Sequence, residues 1–82
     1  MRTVQVRLFA RARELAGSNV LAVPLKEGAT VADLRRGLAD VCPALAALLE
    51  RSALAVNHEF ASDGAALPAD AEVALLPPVS GG

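Results

Sequence analysis

Aromatic side chains are almost absent from this chain of 82 residues, which contains two phenylalanines, Phe9 and Phe60, and no tryptophan or tyrosine. Single-stranded nucleic acids are bound largely by stacking of bases on aromatic side chains. The formal net charge is -1 at pH 7 and the basic residues are scattered, so a basic surface for a phosphate backbone is lacking as well. We therefore expect no nucleic-acid partner.

Long apolar runs are also missing. No stretch approaches the roughly 20 apolar residues that a membrane-spanning helix needs. The first residues alternate polar and apolar side chains and do not form the unbroken apolar stretch of a signal peptide. The one cysteine, Cys42, cannot form an internal disulfide, which suits a reducing compartment. These absences predict a cytoplasmic protein without a membrane partner.

Catalytic and metal-binding patterns are lacking too. The one cysteine and the one histidine, Cys42 and His58, lie far apart in sequence, and no Cys/His spacing indicates zinc. No glycine-rich phosphate loop is present, so ATP would have to be bound by another protein. We interpret Cys42 as an apolar filler beside Pro43 and His58 as a turn residue. The sequence thus predicts no active site, cofactor or metal of its own.

The apolar residues, 54% of the chain, suffice for one compact core, and their spacing predicts strands at both ends with helices between them. The predicted elements are a half-buried strand through 4–8, a helical turn at 10–16 stopped by Gly17, a strand at 20–23 that Pro24 ends or limits to a sheet edge, a short helix from Pro43, a strand at 54–56, a hairpin turn at 57–58 leading to 59–61, and a last strand at 72–76.

The main helix is expected to begin after Thr30, a hydroxyl N-cap with Asp33 at the third helical position. Its apolar stripe consists of Val31, Leu34, Leu38 and Val41. If the first two strands form a hairpin, the helix covers one face of their sheet and the last strand lies beside the first. This is an α+β fold, the β-grasp arrangement of ubiquitin-like proteins, with a mixed sheet and one main helix.

Strand parity predicts a docking surface. If Val4, Val6 and Leu8 face the helix, Phe9 falls on the opposite side of the sheet with Arg7. By the same alternation Leu76 points outward at the end of the last strand, and Phe60 joins from the hairpin. Exposed apolar residues near the C-terminus indicate a partner-binding patch. The alternative is that Phe9 tucks under the helical turn at 11–15.

The end of the sequence is its most informative part, and it reads Pro77-Pro78-Val79-Ser80-Gly81-Gly82. Two prolines stiffen the exit from the last strand, and the two glycines carry no side chain. We expect a β-grasp domain at 1–76 and a flexible C-terminal tail at 77–82 that delivers the Gly82 carboxylate to another protein's active site. A frayed end or an expression scar is the alternative.

The chain resembles the small subunit of molybdopterin synthase over nearly its whole length. The residues that carry the resemblance are Leu8-Phe9-Ala10, Arg13-Glu14, Gly17, Val56-Asn57, Glu72-Val73-Ala74 and the ending from Pro77 to Gly82. Two turns depart from the family pattern. The hairpin reads Asn57-His58 where Asn-Gly or Asn-Gln is usual, and Asp70-Ala71-Glu72 stands where Gly-Asp-Glu is common.

The resemblance implies a sulfur carrier. An activating enzyme related to those of ubiquitin would use ATP and Mg to adenylate Gly82, and a sulfur donor protein would supply the sulfur of a thiocarboxylate. Gly81 would let the tail thread a narrow channel. The patch residues and tail would bind a large catalytic subunit, in a complex of two small and two large chains. There the sulfur would pass to cyclic pyranopterin monophosphate.

Three other functions stay open from the sequence. A sulfur carrier for thiazole or another small molecule shares the fold and the Gly-Gly ending. A ubiquitin-like modifier would be conjugated to lysines of target proteins through Gly82. A plain interaction module would have the same body with an inert tail.

Overall fold

Five strands form one mixed sheet in the computed structural model, which describes residues 2–78. Their order across the sheet is β2-β1-β5-β3-β4, with β1 and β5 parallel and the other neighbours antiparallel. The first and last strands therefore lie side by side in the middle of the sheet, as the sequence predicts. The strands are β1 (Arg2–Leu8), β2 (Val20–Leu25), β3 (Ala53–Val56), β4 (Glu59–Phe60) and β5 (Val73–Leu76).

The helices lie between the strands along the chain. They are α1 (Ala10–Ala16), α2 (Val31–Val41) and α3 (Ala46–Leu49), with a 3₁₀ turn at Pro43–Leu45 before α3. α1 ends at Gly17, whose φ of 70° is the left-handed value that suits glycine. α2 covers one face of the sheet. The expected α+β, β-grasp architecture is confirmed.

Both partners of a capping box hold the start of α2. The Thr30 hydroxyl accepts a hydrogen bond from the Asp33 backbone N–H at 3.3 Å, and Asp33 Oδ2 accepts one from the Thr30 backbone N–H at 2.9 Å. The bond from the Thr30 N–H is the main cause that lowers the pKa of Asp33 below its ordinary value, and the Arg36 guanidinium adds to it. The helix start read from the sequence is confirmed.

Alternate residues of the central strands supply the core. Val4, Val6 and Leu8 on β1 are buried, as are Val73 and Leu75 on β5. Across from them, the apolar stripe of α2 buries Val31, Leu34 and Leu38. The predicted alternation of buried and outward side chains along β1 and β5 is confirmed. The remaining side chains of these strands therefore point away from α2.

Val41 was expected to complete the buried stripe of α2, and this expectation is wrong. Its side chain is 42% exposed. Seven residues at about 100° each place Val41 only about 20° around the helix axis from the fully buried Leu34, so its angle on the helix does not account for the exposure. Val41 is the last residue of α2, and the core continues beyond it with Leu45, Leu48 and Leu49 of the following turn and helix.

Gly37 lies in the middle of α2, where glycine costs up to about 1 kcal/mol relative to alanine. The structure gives the reason for its presence. A Cβ atom at this position would lie 2.6 Å from Cγ1 of Val23 on β2, which is far inside van der Waals contact. Glycine therefore lets α2 approach β2 closely.

Strand boundaries differ from the expected ones by one or two residues. β2 continues through Pro24 to Leu25, and it does so as an edge strand, where a residue without a backbone N–H is tolerated. β4 ends at Phe60, although a strand through 61 was expected. β5 begins at Val73 and not at Glu72.

Candidate functional site

One row of side chains crosses the sheet on the side away from α2, which we call the outer face. The strand registers pair Arg7 with both Val20 and Ala74, and they pair Ala55 with both Ala74 and Phe60. Residues that are paired across neighbouring strands point to the same face. The row therefore runs over all five strands as Val20, Arg7, Ala74, Ala55 and Phe60.

The middle of this row lies in a depression of about 280 Å³, which we call the outer-face depression. The small side chains of Ala55 and Ala74 leave room between larger ones. Its lining residues are Arg7, Phe9, Ala55, His58, Phe60, Glu72, Val73, Ala74 and Leu76. The structure thus brings together the three apolar residues that strand parity singled out, although their role in docking stays a prediction.

The two phenylalanines are the most informative members of the depression. Phe60 is 78% exposed and Phe9 is 42% exposed, whereas nearly all other large apolar residues of the described part are buried or half-buried. Phe9 lies in extended conformation as the N-cap residue of α1. It is not enclosed beneath α1, so the alternative in which Phe9 joins the core is wrong.

The backbone next to Phe9 adopts a rare conformation. Ala10 has a φ of 50°, in the left-handed region that costs a non-glycine residue about 1–2 kcal/mol. The chain changes here from β1 to α1, and the Leu8 N–H bonds the Asn19 carbonyl at 2.8 Å beside the turn. Sequence reasoning missed this feature because alanine carries no signal for positive φ.

The hairpin between β3 and β4 is fastened to the start of β5. Asn57 and His58 have φ values of 52° and 70°, as the predicted tight turn requires. Asn57 Oδ1 accepts a hydrogen bond from the Glu72 N–H at 2.9 Å, and the Asn57 N–H donates to the Glu72 carbonyl at 2.7 Å. His58 Nε2 lies 2.7 Å from Glu72 Oε2, an ion pair when the imidazole is protonated. His58 is thus a turn residue that also closes one side of the depression.

Arg7 is the one arginine or lysine in the lining of the depression, which also contains His58. Arg11, in α1, lies 3.7 Å from Glu14 in an exposed ion pair. Glu72 is also in the lining, and its carboxylate is engaged by His58. Within residues 2–78, the Arg7 guanidinium makes no hydrogen bond or ion pair.

The C-terminal segment leaves the sheet at this depression. Leu75 is paired with Leu8, so Leu76 and Pro77 follow next to the end of β1, where Phe9 begins the turn into α1. Pro77 is half-buried and Pro78 is exposed, and neither belongs to a helix or strand. The remaining residues of the predicted tail, Val79, Ser80, Gly81 and Gly82, lie outside the described residues.

The described part of the chain holds neither a metal-binding cluster nor a membrane-spanning helix. Residues 2–78 contain no group of three or more His, Cys, Asp or Glu side chains that would hold a metal ion. In the same range, no helix is both long enough and apolar enough to span a membrane. Cys42 is half-buried and packs against the core, as its interpretation as an apolar filler predicts.

The sheet order, the covering helix and the exit of the chain beside the first strand define a ubiquitin-like β-grasp protein. The sequence matches the ThiS family over residues 6–82, nearly its full length, and the chain belongs to this family.

Relatives and solved structures agree with this membership. The molybdopterin synthase sulfur carrier subunit of Chlamydomonas reinhardtii is 37% identical over 81 residues, which cover 96% of this chain and 98% of that protein. The subunit of the same name from Arabidopsis thaliana is also 37% identical, over 96% of this chain and 82% of its own. The crystal structure of SAMP1, a small archaeal modifier protein, from Haloferax volcanii matches with a TM-score of 0.87 at 35% identity, over 99% of this chain and 100% of its own. The resemblance to the small subunit of molybdopterin synthase is confirmed.

Proposed function

We propose that this protein is the sulfur-carrier subunit of molybdopterin synthase. The observation that carries the proposal is its similarity, over nearly the whole length of both chains, to relatives that bear this name. The match to the ThiS family extends to Gly82 and so includes the Gly81-Gly82 ending. We take residues 1–76 as the folded body, residues 77–82 as the tail, and the cytoplasm as the site of action.

The reactive group in this proposal is the Gly82 carboxylate. A carboxylate resists attack by sulfur, so one of its oxygens first attacks the α-phosphorus of ATP and releases pyrophosphate. The resulting acyl adenylate has AMP as a good leaving group. Hydrosulfide made available by the donor protein then attacks the carbonyl carbon, and a C–S bond forms as the C–O bond to AMP breaks. AMP leaves, the sulfur loses its proton, and the product is a thiocarboxylate. ATP and Mg are bound by the activating enzyme, and this chain holds no cofactor.

The composition of the tail suits this chemistry. Reacting atoms have to come within about 3.5 Å in correct alignment, and a side chain at Gly82 would obstruct that approach. Gly81 allows the backbone conformations that a narrow channel demands. The four residues 79–82 reach roughly 13 Å when extended. Pro77 and Pro78 restrict the chain and so reduce the conformational entropy that is lost on docking.

The outer-face depression supplies the docking surface for the large catalytic subunit. Phe9, Phe60 and Leu76 form its apolar part, and Pro77, Pro78, Val79 and Ser80 extend the contact toward the partner's active site. Such a surface buries on the order of 800 Å² on this chain, which is the share of one partner in a standard specific interface. In a complex of two small and two large chains, each tail delivers its thiocarboxylate sulfur to cyclic pyranopterin monophosphate held by a large subunit.

Intact-mass spectrometry tests the proposal. The purified protein is incubated with activating enzyme, ATP and sulfide. We expect a species that is heavier by the difference between one sulfur and one oxygen atom. The variant that lacks Gly82 should fold normally and give neither this species nor sulfur transfer. No mass shift with a demonstrably active activating enzyme would contradict the proposal, and transfer by the shortened variant would contradict the role of Gly82.

A second candidate is a ubiquitin-like modifier. The likeness to the Haloferax volcanii modifier protein, with its TM-score of 0.87, favours it specifically. In that function the Gly82 carbonyl would form an isopeptide bond with a lysine of a target protein. Recovery of this chain on target lysines through Gly82 would support the modifier. Copurification with a large subunit that uses a pterin substrate would support the sulfur carrier, and a thiazole-forming partner would assign the sulfur to another product.

A further inference from the structure

We propose that the protein docked on the outer face places a carboxylate against Arg7, and that Arg7 selects partners by this charge. The inference rests on the proposed function, because it assumes that a partner covers the outer-face depression. It adds a statement about the partner's surface. The partner should present an apolar side chain that enters the depression and an acidic side chain next to it.

The position of Arg7 carries the first step. It lies on the central strand β1, with Val20 on one side and Ala74 on the other in the row across the sheet. It lines the outer-face depression together with Phe9 and Phe60. A partner that fills the depression therefore covers the Arg7 guanidinium as well as the apolar side chains.

The second step is the free energy of covering a charge. Removing a guanidinium from water without a compensating partner is strongly unfavourable, and arginine stays charged at all ordinary pH values. Within residues 2–78, Arg7 makes no ion pair or side-chain hydrogen bond that would persist in the complex. Glu72, the acid that shares the depression, has its Oε2 2.7 Å from Nε2 of His58 and makes no ion pair with Arg7 within residues 2–78. The compensating group therefore has to come from the partner.

The third step is the choice of a carboxylate as that group. A planar guanidinium matches a carboxylate with two parallel hydrogen bonds, and arginine is enriched among the residues that dominate binding energy at interfaces. The neighbouring arginines have other roles. Arg11 pairs with Glu14, and Arg13 lies in the last turn of α1, where a positive charge interacts favourably with the helix dipole.

The test measures binding of the large subunit of molybdopterin synthase from the same organism to this chain at several salt concentrations. Arg7→Leu replaces the charged side chain on the exposed side of β1 with an apolar one. We expect its Kd to rise at least about thirtyfold, because the partner's carboxylate is left buried without a counter-charge. We expect Arg7→Glu to bind still more weakly and Arg7→Lys to lose less than Arg7→Leu. Adding salt should weaken wild-type binding more than binding of Arg7→Leu.

Arg51→Leu is the matched control, since Arg51 is exposed in the turn after α3 and does not line the depression. It should bind like the wild type. Phe60→Ala separates the two hypotheses. If Phe60→Ala weakens binding and Arg7→Leu does not, the partner covers the patch without a carboxylate, and the inference on Arg7 is wrong while the proposed function stands. If the wild type neither binds the large subunit nor acquires sulfur at Gly82, both are wrong.

Discussion

Ala74 on β5 is paired directly with Ala55 on β3, and both side chains line the outer-face depression. Two methyl groups at adjacent positions leave a concave surface where larger residues would fill the face of the sheet. The shape of the candidate docking site therefore depends on two of the smallest side chains in the chain.

Filling this space should impair docking. We expect Ala74→Leu to raise the Kd for the large subunit by about tenfold or more, because the added atoms occupy the volume that a partner side chain would take. The fold should persist, since residue 74 is half-exposed on the outer face. Ala22→Leu is the control, because Ala22 is exposed on β2 and does not line the depression. Equal binding by the two variants would contradict the assigned site.

Charge placed on the exposed phenylalanines should separate binding from stability. We expect Phe60→Arg and Phe9→Arg each to weaken binding of the large subunit by about 2 kcal/mol or more, as for buried aromatic residues at the centre of an interface. The free energy of unfolding should change by about 0.5 kcal/mol or less for Phe60→Arg, since its side chain is 78% exposed. Titration calorimetry and urea unfolding give the two quantities. A large fall in the melting temperature of Phe9→Arg would mean that its weaker binding reflects a damaged fold, and would contradict the docking role assigned to Phe9.

Gly37→Ala should destabilise the fold although alanine is the better helix former. Overpacking against the buried Val23 costs about 1–3 kcal/mol. The higher helix propensity of alanine offsets up to about 1 kcal/mol of this loss. We therefore expect a net loss of about 1–2 kcal/mol in urea unfolding. In a Val23→Ala background the colliding Cγ1 atom is absent, so the same change at Gly37 should cost nothing or stabilise. An equal loss in both backgrounds would mean that the close approach of α2 to β2 is not the cause.

The capping box predicts a specific dependence on pH. The pKa of Asp33 is lowered in the folded state, mainly by the hydrogen bond from the Thr30 N–H. In the window between its folded value and the ordinary value of 3.8, the unfolded chain binds more protons, so stability rises with pH. The contribution is complete above the unfolded pKa and is lost as pH falls through the folded pKa.

Asp33→Asn tests this dependence because it keeps an oxygen acceptor and removes the charge. We expect it to be less stable than the wild type near neutral pH, with the difference shrinking as the solution is acidified through and below the carboxyl range. Denaturant unfolding at several pH values measures the difference. A constant difference at all pH values would show that the charge of Asp33 contributes nothing to the cap.

Local patterns in the sequence were enough to find the outward residues. Side chains alternate along a strand, so the burial of Val6 and Leu8 fixes the direction of Arg7, and that of Leu75 fixes Leu76. The capping residues of α2 lie within three positions of each other, so the start of the helix was equally predictable from the sequence. These features depend on neighbours in the chain, which the sequence shows directly.

Features that depend on distant segments were not predictable. The contact between His58 and Glu72 forms because the hairpin turn meets the start of β5, and no signal at either residue indicates this contact. The register between β3 and β5 places Ala55 next to Ala74, and the sequence alone does not show that these two residues are neighbours. Gly37 taken by itself only lowers the helix propensity of α2, and its benefit is visible only in the packing of α2 on β2.

The central pair of strands also decides how the body responds to force. β1 and β5 are parallel and joined through the pairs Val6–Val73, Arg7–Ala74 and Leu8–Leu75, so the start of β1 and the end of β5 lie toward opposite ends of the sheet. Traction applied between these ends loads the hydrogen bonds together in shear, whereas an edge hairpin would unzip one bond at a time. We expect the globule to stay folded while its outgoing segment is pulled, and to yield mechanically only when the middle of the sheet ruptures.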